Sequence, residues 1–442
     1  STGNRATWTF SAWIKRSRST SGNEFIFSSN GERTGTAYYS SIYFANDTLR
    51  YYDYHSGAAQ KYLYANRRFR DLNAWYHIVV RVDTTQSTAS DRIRFYVNGV
   101  QETDFDSSSY PTQNDNSSFV NYAGMDNFVG TQTNNLSGAF LGSMSHVYLC
   151  DGQSYAPTVF GSTDSTTGEW KINTSPSITM GTNGFTILKD GNTVTDQSSN
   201  SNDFSIGSGT LTKTEDCPSN VFATLNPLYK NTTNDFILAN GNTDGTCRDN
   251  TKSGTYTTLG MPSGKFYCEV KIRELQGTAA VGVTGRPQGD VHQNKNVGDT
   301  SQSAAYRSNG DSEIDGSTAS YGNSYTTNDI IGIAIDVDNS KLYFSKNGTW
   351  QNSGDPTSGS TGTGALTMPV AASACEEGAY FFGYGDISTG GSTAPKFSFN
   401  FGNGYFATSA VASAGTNASN IGIFEYDVPA GYTALSTKGL NL

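Results

Sequence analysis

Glu313 and Asp315 are the residues whose types and spacing come closest to a catalytic motif. In the strand pattern Glu-x-Asp-x-x-Glu, acidic side chains flank a glycosidic bond, so that one carboxylate attacks the sugar and the other donates a proton. The position of the last acid holds Thr318, which can do neither. The surrounding residues predict a polar loop rather than a regular strand. We therefore expect no hydrolase activity, and an atypical glycosidase is the weakest alternative.

Other catalytic signatures do not occur in the sequence. It contains no Gly-x-Ser-x-Gly elbow, no His-Glu-x-x-His and no phosphate-binding P-loop. The four histidines are His55, His77, His146 and His292. His77 and His146 fall in apolar strand patterns, where an imidazole is usually packed or hydrogen-bonded in place. The chain is therefore predicted to be non-enzymatic.

Tyrosines beside Asn, Ser and Gly are the residues best suited to binding. Aromatic rings stack on ligands while small polar side chains supply adaptable hydrogen bonds. Such stretches occur at residues 36–44, 49–57 and 319–328, where we expect exposed contact loops. The alternative is that these rings pack in sheets or form cross-strand pairs. The candidate ligand-binding residues are Tyr38, Tyr52, Tyr54, Tyr321, Asn323 and Tyr325.

The composition of the 442 residues predicts an all-β protein. There are 48 Gly, 26 Tyr and 24 Phe, and only 15% of the residues are charged. Aromatic residues and Gly/Asn turn formers suit pleated sheets joined by tight turns. The most apolar stretch, residues 330–337, has the length of a strand, whereas a membrane span needs about 20 residues. No membrane insertion is expected.

Net charge and cysteine content limit the kinds of ligand and the cellular compartment that fit this chain. The net charge of −10 argues against a surface that tracks nucleic-acid phosphates. The five cysteines are odd in number and include no Cys-x-x-Cys. This pattern disfavours a disulfide scaffold or a zinc site and fits a chain that folds in a reducing cytosol. A single disulfide bond is left as an alternative.

The hydrophobic pattern divides the chain into three regions. Residues 1–160 contain short alternating strands and the hairpin signal Asn98-Gly99. Residues 161–220 are rich in Ser, Thr, Asn and Gly, and are predicted to form a connector with a small β element. Residues 221–442 contain an apolar strand pair that ends at a second turn signal, Asn347-Gly348.

Several segments carry a resemblance to known families. WTFSAWIKR, WYHIVVRVD, DRIRFYVNGV and GAFLGSMSHVYLCDG, spread over residues 5–160, resemble the laminin-G/pentraxin-like group of concanavalin A-like jelly rolls. SGKFYCEVKI, VGVT, DIIGIAIDVDNSKLYFSKNGTW, FNFGNGYF and PAGYTALST, over residues 250–435, resemble a SPRY domain. Together they imply two concanavalin A-like antiparallel β-sandwiches in tandem. A strand usually precedes WTFSAW in the first family and the sequence starts without Met, so we expect either that the chain is processed or that the mature polypeptide starts upstream of Ser1.

The first resemblance also implies a possible cofactor. Laminin-G-like domains often hold Ca²⁺ at a loop edge through carboxylate and carbonyl oxygens. Asp115, Asp126 and Asp151 lie in suitable loops, but the sequence has no Asp-x-Asp-x-Asp-Gly loop and fixes no ligand set. No cofactor is predicted, and calcium stays an open possibility.

The connector resembles a segment of bacteriophage structural proteins. The matching stretches are DQSSNSNDFSIGSG and TEDCPSNVFATLNPL. This implies a tail fibre or appendage on the virion surface, assembled in the host cytoplasm beside other virion proteins. We expect a homo-oligomer, with a trimer favoured, that recognises a host cell-surface glycan or protein through multivalent contacts. By the SPRY resemblance, the loop at residues 286–328 is a further candidate contact surface. The alternatives are a structural or decoration protein without a ligand, and a secreted lectin-like adhesin from a cell.

Overall fold

The protein is described from a computed structural model. It covers residues 2–19, 21–33, 36–55, 60–133, 138–189, 191, 193–229, 236–247, 252–292, 295–387 and 395–442. The chain divides into two compact units, Ser1–Lys213 (unit 1) and Thr214–Leu442 (unit 2). Both are built almost entirely from antiparallel sheets, which confirms the predicted all-β fold class.

Unit 1 contains two six-stranded sheets. Their strand orders are β14-β11-β1-β6-β7-β8 and β10-β2-β3-β4-β5-β9. Short 3₁₀ turns lie at Ala89–Asp91 and Pro157–Val159. The strands are β1 (Thr7–Arg16), β2 (Asn23–Arg33), β3 (Thr36–Ala45), β4 (Thr48–His55), β5 (Lys61–Arg68), β6 (Trp75–Asp83), β7 (Ile93–Val97), β8 (Val100–Gln101), β9 (Phe105–Ser109), β10 (Asp126–Val129), β11 (Gly142–Asp151), β12 (Gly161–Thr163), β13 (Trp170–Ile172) and β14 (Phe185–Ile187).

The core of unit 1 lies between its two sheets. Phe10 of the first sheet stacks on Phe27 of the second, with ring centroids 5.1 Å apart. Trp8 likewise meets Tyr51 across the interior at 6.0 Å. These side chains are buried because inward positions alternate with outward ones along each strand.

The first sheet of unit 1 is covered on its outer face as well. A second apolar cluster there joins Val79, Tyr148 and Phe160 to residues of the 155–180 segment. Strand β14 adds to the same sheet by pairing with β11. Of the predicted connector at 161–220, residues 161–213 lie in unit 1 and residues 214–220 in unit 2.

Unit 2 also contains two large sheets. One has the order β15-β16-β28-β18-β23-β24-β25, with β26 on β24 and β31 on β18, and the other the order β17-β27-β19-β20-β21-β22. The strands are β15 (Phe236–Ala239), β16 (Asp244–Cys247), β17 (Ser253–Tyr256), β18 (Lys265–Glu274), β19 (Ala279–Thr284), β20 (Ser303–Arg307), β21 (Asp311–Ile314), β22 (Ser317–Ser320), β23 (Ile330–Asp336), β24 (Lys341–Lys346), β25 (Thr349–Trp350), β26 (Leu366–Thr367), β27 (Phe381–Asp386), β28 (Lys396–Asn400), β29 (Tyr405–Phe406), β30 (Ser409–Ala410) and β31 (Thr433–Ala434).

Helical structure in unit 2 is short. Helix α1 spans Pro287–His292. In the part of the chain that the structure describes, no helix is long and apolar enough to cross a membrane. The 3₁₀ turns are Gln351–Ser353, Pro356–Thr361, Ala372–Ala374 and Gly439–Asn441.

Both Asn-Gly pairs adopt the turn conformation that the sequence predicts for them. Asn98 and Gly99 have φ angles of 47° and 79°, and Asn347 and Gly348 have angles of 49° and 80°. Positive φ at both central positions is the requirement of a two-residue type I′ turn. These turns join β7 to β8 and β24 to β25.

The acidic pair at 313 and 315 does not lie in an irregular loop, as expected, but in a β-hairpin. Glu313 is on β21 opposite Thr318 of β22, and Asp315 occupies the turn with a φ of 51°. The Glu313 side chain is 3% exposed, with Asn296 Nδ2 3.4 Å and Arg307 Nε 3.9 Å from its carboxylate. Positive φ angles at Asp315 and Gly316 form the turn between β21 and β22, and β21 also pairs with β20 on its other edge.

Candidate functional site

Strand β4 presents its side chains alternately to the core and to solvent. Leu49 and Tyr51 point inward and are 0% and 1% exposed. Arg50, Tyr52 and Tyr54, at the intervening positions, are half-buried on the outer face of the second sheet. The period-2 alternation of a strand therefore turns the sequence RYYDY into an outward row of one arginine and two tyrosines.

The neighbouring strands place more tyrosines beside this row. Tyr39 of β3 lies opposite Tyr54, while Tyr62 and Tyr64 of β5 lie opposite Tyr52 and Arg50. The outer position of β3 opposite Arg50 holds a further tyrosine. We call the resulting surface the tyrosine face. It consists of Tyr39, Tyr43, Arg50, Tyr52, Tyr54, Tyr62 and Tyr64.

The rings of the tyrosine face contact one another. Tyr39 and Tyr54 stack with centroids 5.2 Å apart, and Tyr62 and Tyr64 at 4.9 Å. Tyr52 lies between these pairs, 5.9 Å from Tyr39 and 6.3 Å from Tyr62. Since neighbouring strands are about 4.8 Å apart, the three strands give a surface roughly 10 Å wide. Ring contacts both across and along the strands hold the rings in fixed positions.

The phenols of Tyr39, Tyr52 and Tyr64 have raised pKa values and are neutral hydrogen-bonding groups. Burial and the neighbouring tyrosines raise the pKa of Tyr39 and of Tyr52. Burial also raises the pKa of Tyr64. The Tyr52 hydroxyl donates to Gln60 Oε1. An uncharged phenol can stack through its ring and both donate and accept through its hydroxyl, which suits polar, hydroxyl-bearing ligands.

The sequence-predicted tyrosines of unit 1 divide between two faces. Tyr52 and Tyr54 lie together on the tyrosine face, 6.2 Å apart. Tyr38 instead points to the inner side of β3, where its ring meets His55 at 5.0 Å and Phe119 at 5.3 Å. All three are on strands, which corrects the expectation that they occupy loops.

The predicted contact residues of unit 2 are mostly internal. Tyr321 and Tyr325 are 7% and 2% exposed, which corrects the expectation of exposed rings. The Tyr325 hydroxyl donates to the carbonyl of Ala279 at 3.1 Å and to that of Tyr306 at 3.0 Å. Asn323 is exposed, but its N–H donates to Gln351 Oε1 at 2.8 Å. The two rings anchor this loop and are not available to a ligand.

The three candidate calcium ligands, Asp115, Asp126 and Asp151, are not grouped into one metal site. Asp115 pairs with Lys61 at 3.1 Å, and Asp126 is exposed at the start of β10. The carboxylate of Asp151 accepts the backbone N–H groups of Asn4 and Asn183 at 2.7 and 3.0 Å. Among the described residues, no group of three or more His, Cys, Asp or Glu side chains is arranged to hold a metal ion.

Comparisons with known proteins agree with the two sandwiches. Residues 1–153 match the family model described as the concanavalin A-like lectin/glucanases superfamily, and residues 265–383 match that of the SPRY domain. The chain therefore contains a concanavalin A-like domain followed by a SPRY domain, which confirms both resemblances.

Two solved structures are among those similar to this chain. The SPRY domain of human HERC1 is 20% identical, with 40% of this chain and 96% of that chain covered and a TM-score of 0.30. Stonustoxin is 15% identical, with 40% of this chain and 27% of that chain covered and a TM-score of 0.28. A search of curated proteins finds no match to the chain.

Sequence reasoning missed several members of the tyrosine face. Tyr39, Tyr62, Tyr64 and Arg50 were not among the candidates, although each occupies an alternate position of its strand. The usable signal is the repeated Tyr-x-Tyr spacing in β4 and β5, which places both rings of a pair on one face. What the sequence does not reveal is which face stays open to solvent.

Proposed function

We propose that this chain is a non-enzymatic binding protein of a bacteriophage surface, a tail fibre or appendage, that recognises a glycan or protein on the host cell. The tyrosine face is the observation that carries the proposal. The concanavalin A-like and SPRY domains are compatible with a binding or adhesion role. The phage setting is supported by the resemblance of residues 196–209 and 214–228 to a connector of phage structural proteins.

The tyrosine face suits weak contacts with a polar surface. Tyr39, Tyr52 and Tyr54 are held by stacking, so little side-chain entropy is lost when a ligand binds. Each contact is modest, but a trimer on a particle presents several copies. The effective concentration of the remaining copies then raises the overall affinity without new contacts.

The proposal also assigns a place and partners. The protein lies on the virion surface after assembly in the host cytoplasm, and it contacts other virion proteins besides its host ligand. No nucleic acid partner is proposed, because the net charge is −10. The proposed lack of enzymatic activity is supported by the burial of Glu313, a residue that is 3% exposed. Release of reducing ends from host polysaccharide would contradict it.

Adsorption of the purified protein to host cells tests the proposed contact surface. Tyr52→Ala should weaken adsorption by about tenfold, since it removes the central ring of the tyrosine face. Tyr426→Ala, a half-buried tyrosine of unit 2, is the matched control and should leave adsorption unchanged. Equal loss in both variants, or no adsorption of the wild type, would count against recognition and favour a structural or decoration role.

Labelling of virions tests the proposed location. An antibody to the chain should mark a tail tip or appendage in negative-stain images. Labelling of the capsid or shaft would favour the decoration role. Absence of the label from all particles would contradict the virion assignment and favour a cell-derived lectin-like adhesin.

A further inference from the structure

Arg50 is the charged member of the tyrosine face. Its guanidinium lies 4.6 Å from the centre of the Tyr64 ring. Its Nε donates to Thr48 Oγ1 at 3.3 Å, and the hydroxyl of Tyr43 also interacts with the guanidinium. These contacts hold the cation over an aromatic ring, and the guanidinium has further N–H donors that a ligand could use.

The charge of Arg50 is not neutralised by the part of the chain that the structure describes, where no carboxylate lies within 4.0 Å of it. Two other arginines of unit 1, Arg16 and Arg67, are instead paired with carboxylates. Arg16 contacts Glu24 and Asp47, each at 3.0 Å. Arg67 contacts Glu102 at 2.7 Å. A cation that is held beside tyrosine rings and has no carboxylate partner favours an anionic group on whatever covers the tyrosine face.

We propose that Arg50 and the adjoining tyrosines form a subsite for the carboxylate or sulfate of an acidic polysaccharide. This inference rests on the proposed function and specifies its ligand. The planar guanidinium forms paired hydrogen bonds with a carboxylate or sulfate. The neighbouring phenols Tyr52 and Tyr64 stack on sugar rings or hydrogen-bond their hydroxyls.

The shape of the face favours a polysaccharide over a protein. Protein partners usually anchor by placing large side chains in pockets. The tyrosine face is instead a pleated surface of rings side by side, on which a linear polymer can lie across strands β3 to β5. Ser107 and Ser109 of β9 extend it with hydroxyl-bearing positions opposite Tyr64 and Tyr62.

Binding to three glycans tests the subsite. Calorimetry should be done with a polyuronate, a sulfated glucan and the same glucan without sulfate. The wild type should bind at least one acidic polymer about tenfold more tightly than the neutral glucan, and added salt should reduce the difference. Tighter binding of the polyuronate would indicate recognition of a carboxylate, and tighter binding of the sulfated glucan would indicate recognition of a sulfate.

Arg50→Gln should remove the preference for the acidic polymer, whereas Arg50→Lys should restore part of it, because lysine keeps the charge without the planar fork. Arg68→Gln is the matched control. It removes the same charge from β5 of the same sheet, where Arg68 is exposed and hydrogen-bonded to the Asn46 carbonyl. Unfolding curves of each variant establish that it is folded.

Three results would overturn the subsite. Equal losses in Arg50→Gln and Arg68→Gln would indicate general charge attraction. Equal affinity for acidic and neutral glucans would remove the anionic preference but leave the proposed function standing. Binding of none of the three polymers would overturn the acidic polysaccharide as ligand. Adsorption of wild type and Tyr52→Ala to host cells would then decide separately whether the proposed function holds.

Discussion

Asp53 is the buried acid that lies directly behind the tyrosine face. It occupies β4 between Tyr52 and Tyr54 but points into the interior, where its Oδ1 accepts from Ser40 Oγ at 2.9 Å. The same Ser40 Oγ accepts the N–H of Phe119 at 2.9 Å. The nearby Lys61 is already paired with Asp115 at 3.1 Å. Burial therefore raises the pKa of Asp53 to about 7, although Lys61 and Ser40 oppose the shift.

This raised pKa predicts a pH dependence of stability. Below about pH 4 the acid is neutral in both the folded and the unfolded chain. As the pH rises towards about 7, only the unfolded chain releases the proton, so the free energy of unfolding falls. Asp53→Asn stays neutral and should become more stable than the wild type over this range, by at most about 4 kcal/mol near pH 8. Urea unfolding of both proteins at a series of pH values measures this difference.

Asp164→Asn provides a control of opposite sign. Hydrogen bonds from Lys171 and from backbone N–H groups lower the pKa of Asp164, so its ionised form is the stabilising one. This variant should lose a little stability at neutral pH and none in acid. If the free energy of unfolding of Asp53→Asn matched that of the wild type at every pH, this would contradict the inference that burial raises the pKa of Asp53.

Tyr325 gives a second prediction at the scale of single residues. Its hydroxyl donates to the carbonyls of Ala279 and Tyr306, and Tyr325→Phe leaves both without that donor. The free energy of unfolding of unit 2 should fall by about 1–2 kcal/mol, measured by urea denaturation. Adsorption to host cells should not change, because the ring does not reach solvent. Loss of adsorption without loss of stability would restore Tyr325 as a contact residue.

Individual residues were only partly predictable. The alternation in β4 places Tyr52 and Tyr54 on one face, and the sequence alone carries that information. Tyr321 and Tyr325 stand among Asn, Ser, Gly and Thr, a composition typical of an exposed loop. Their burial depends on packing against Tyr306 and Phe344, which come close to each other only after the sheets have assembled.

At the scale of elements, the hairpin of β12 and β13 explains how residues 161–213 belong to unit 1. Trp170 of β13 donates from Nε1 to His77 Nδ1 at 3.0 Å and stacks on that ring at 6.0 Å. Trp13 stacks on His77 at 5.0 Å. A Cβ on Gly99 would lie 2.4 Å from the Trp170 ring, so the turn of β7 and β8 also packs beneath it. The hairpin closes the outer face of the first sheet.

Trp170→Ala should open this cover. Burial lowers the pKa of His77 to about 3, so removal of the indole should raise that pKa towards the ordinary value of about 6.5. The free energy of unfolding should fall by about 2 kcal/mol, less than for a fully buried tryptophan. Titration of His77 by NMR and urea unfolding check the two effects. Trp170→Phe keeps most of the packing without the N–H, so its stability and its His77 pKa should lie between those of the wild type and of Trp170→Ala. An unchanged His77 pKa in Trp170→Ala would contradict the inference that Trp170 covers His77.

The hairpin could not be recognised from the sequence for a physical reason. Strands β12 and β13 have three residues each, too few to show a hydrophobic period. Their stability comes from packing of Trp170 and Phe160 on a sheet formed by distant residues. The longer strands β1, β6 and β23 contain enough alternating or continuous apolar residues to be predicted.

At the scale of the whole molecule, the division between Lys213 and Thr214 predicts which fragments fold. Each unit has its own core between its own two sheets. The sequence boundary at residue 160 would instead remove β14 and Trp170 from unit 1. It would expose the outer face of the first sheet, where Val79 and Tyr148 are 0% and 4% exposed in the intact unit.

Fragment 1–213 should therefore unfold in a single cooperative transition and keep the tyrosine face, whereas fragment 1–160 should be less stable and prone to aggregate. Urea unfolding, binding of a hydrophobic dye and size-exclusion chromatography of the two fragments measure the difference. Because strands β3, β4 and β5 are present in both fragments, any loss of stability in fragment 1–160 comes from removal of residues 161–213 and not from loss of the tyrosine face. Equal stability of the two would mean that residues 161–213 only rest on the sandwich, and that the shorter boundary describes the folding unit.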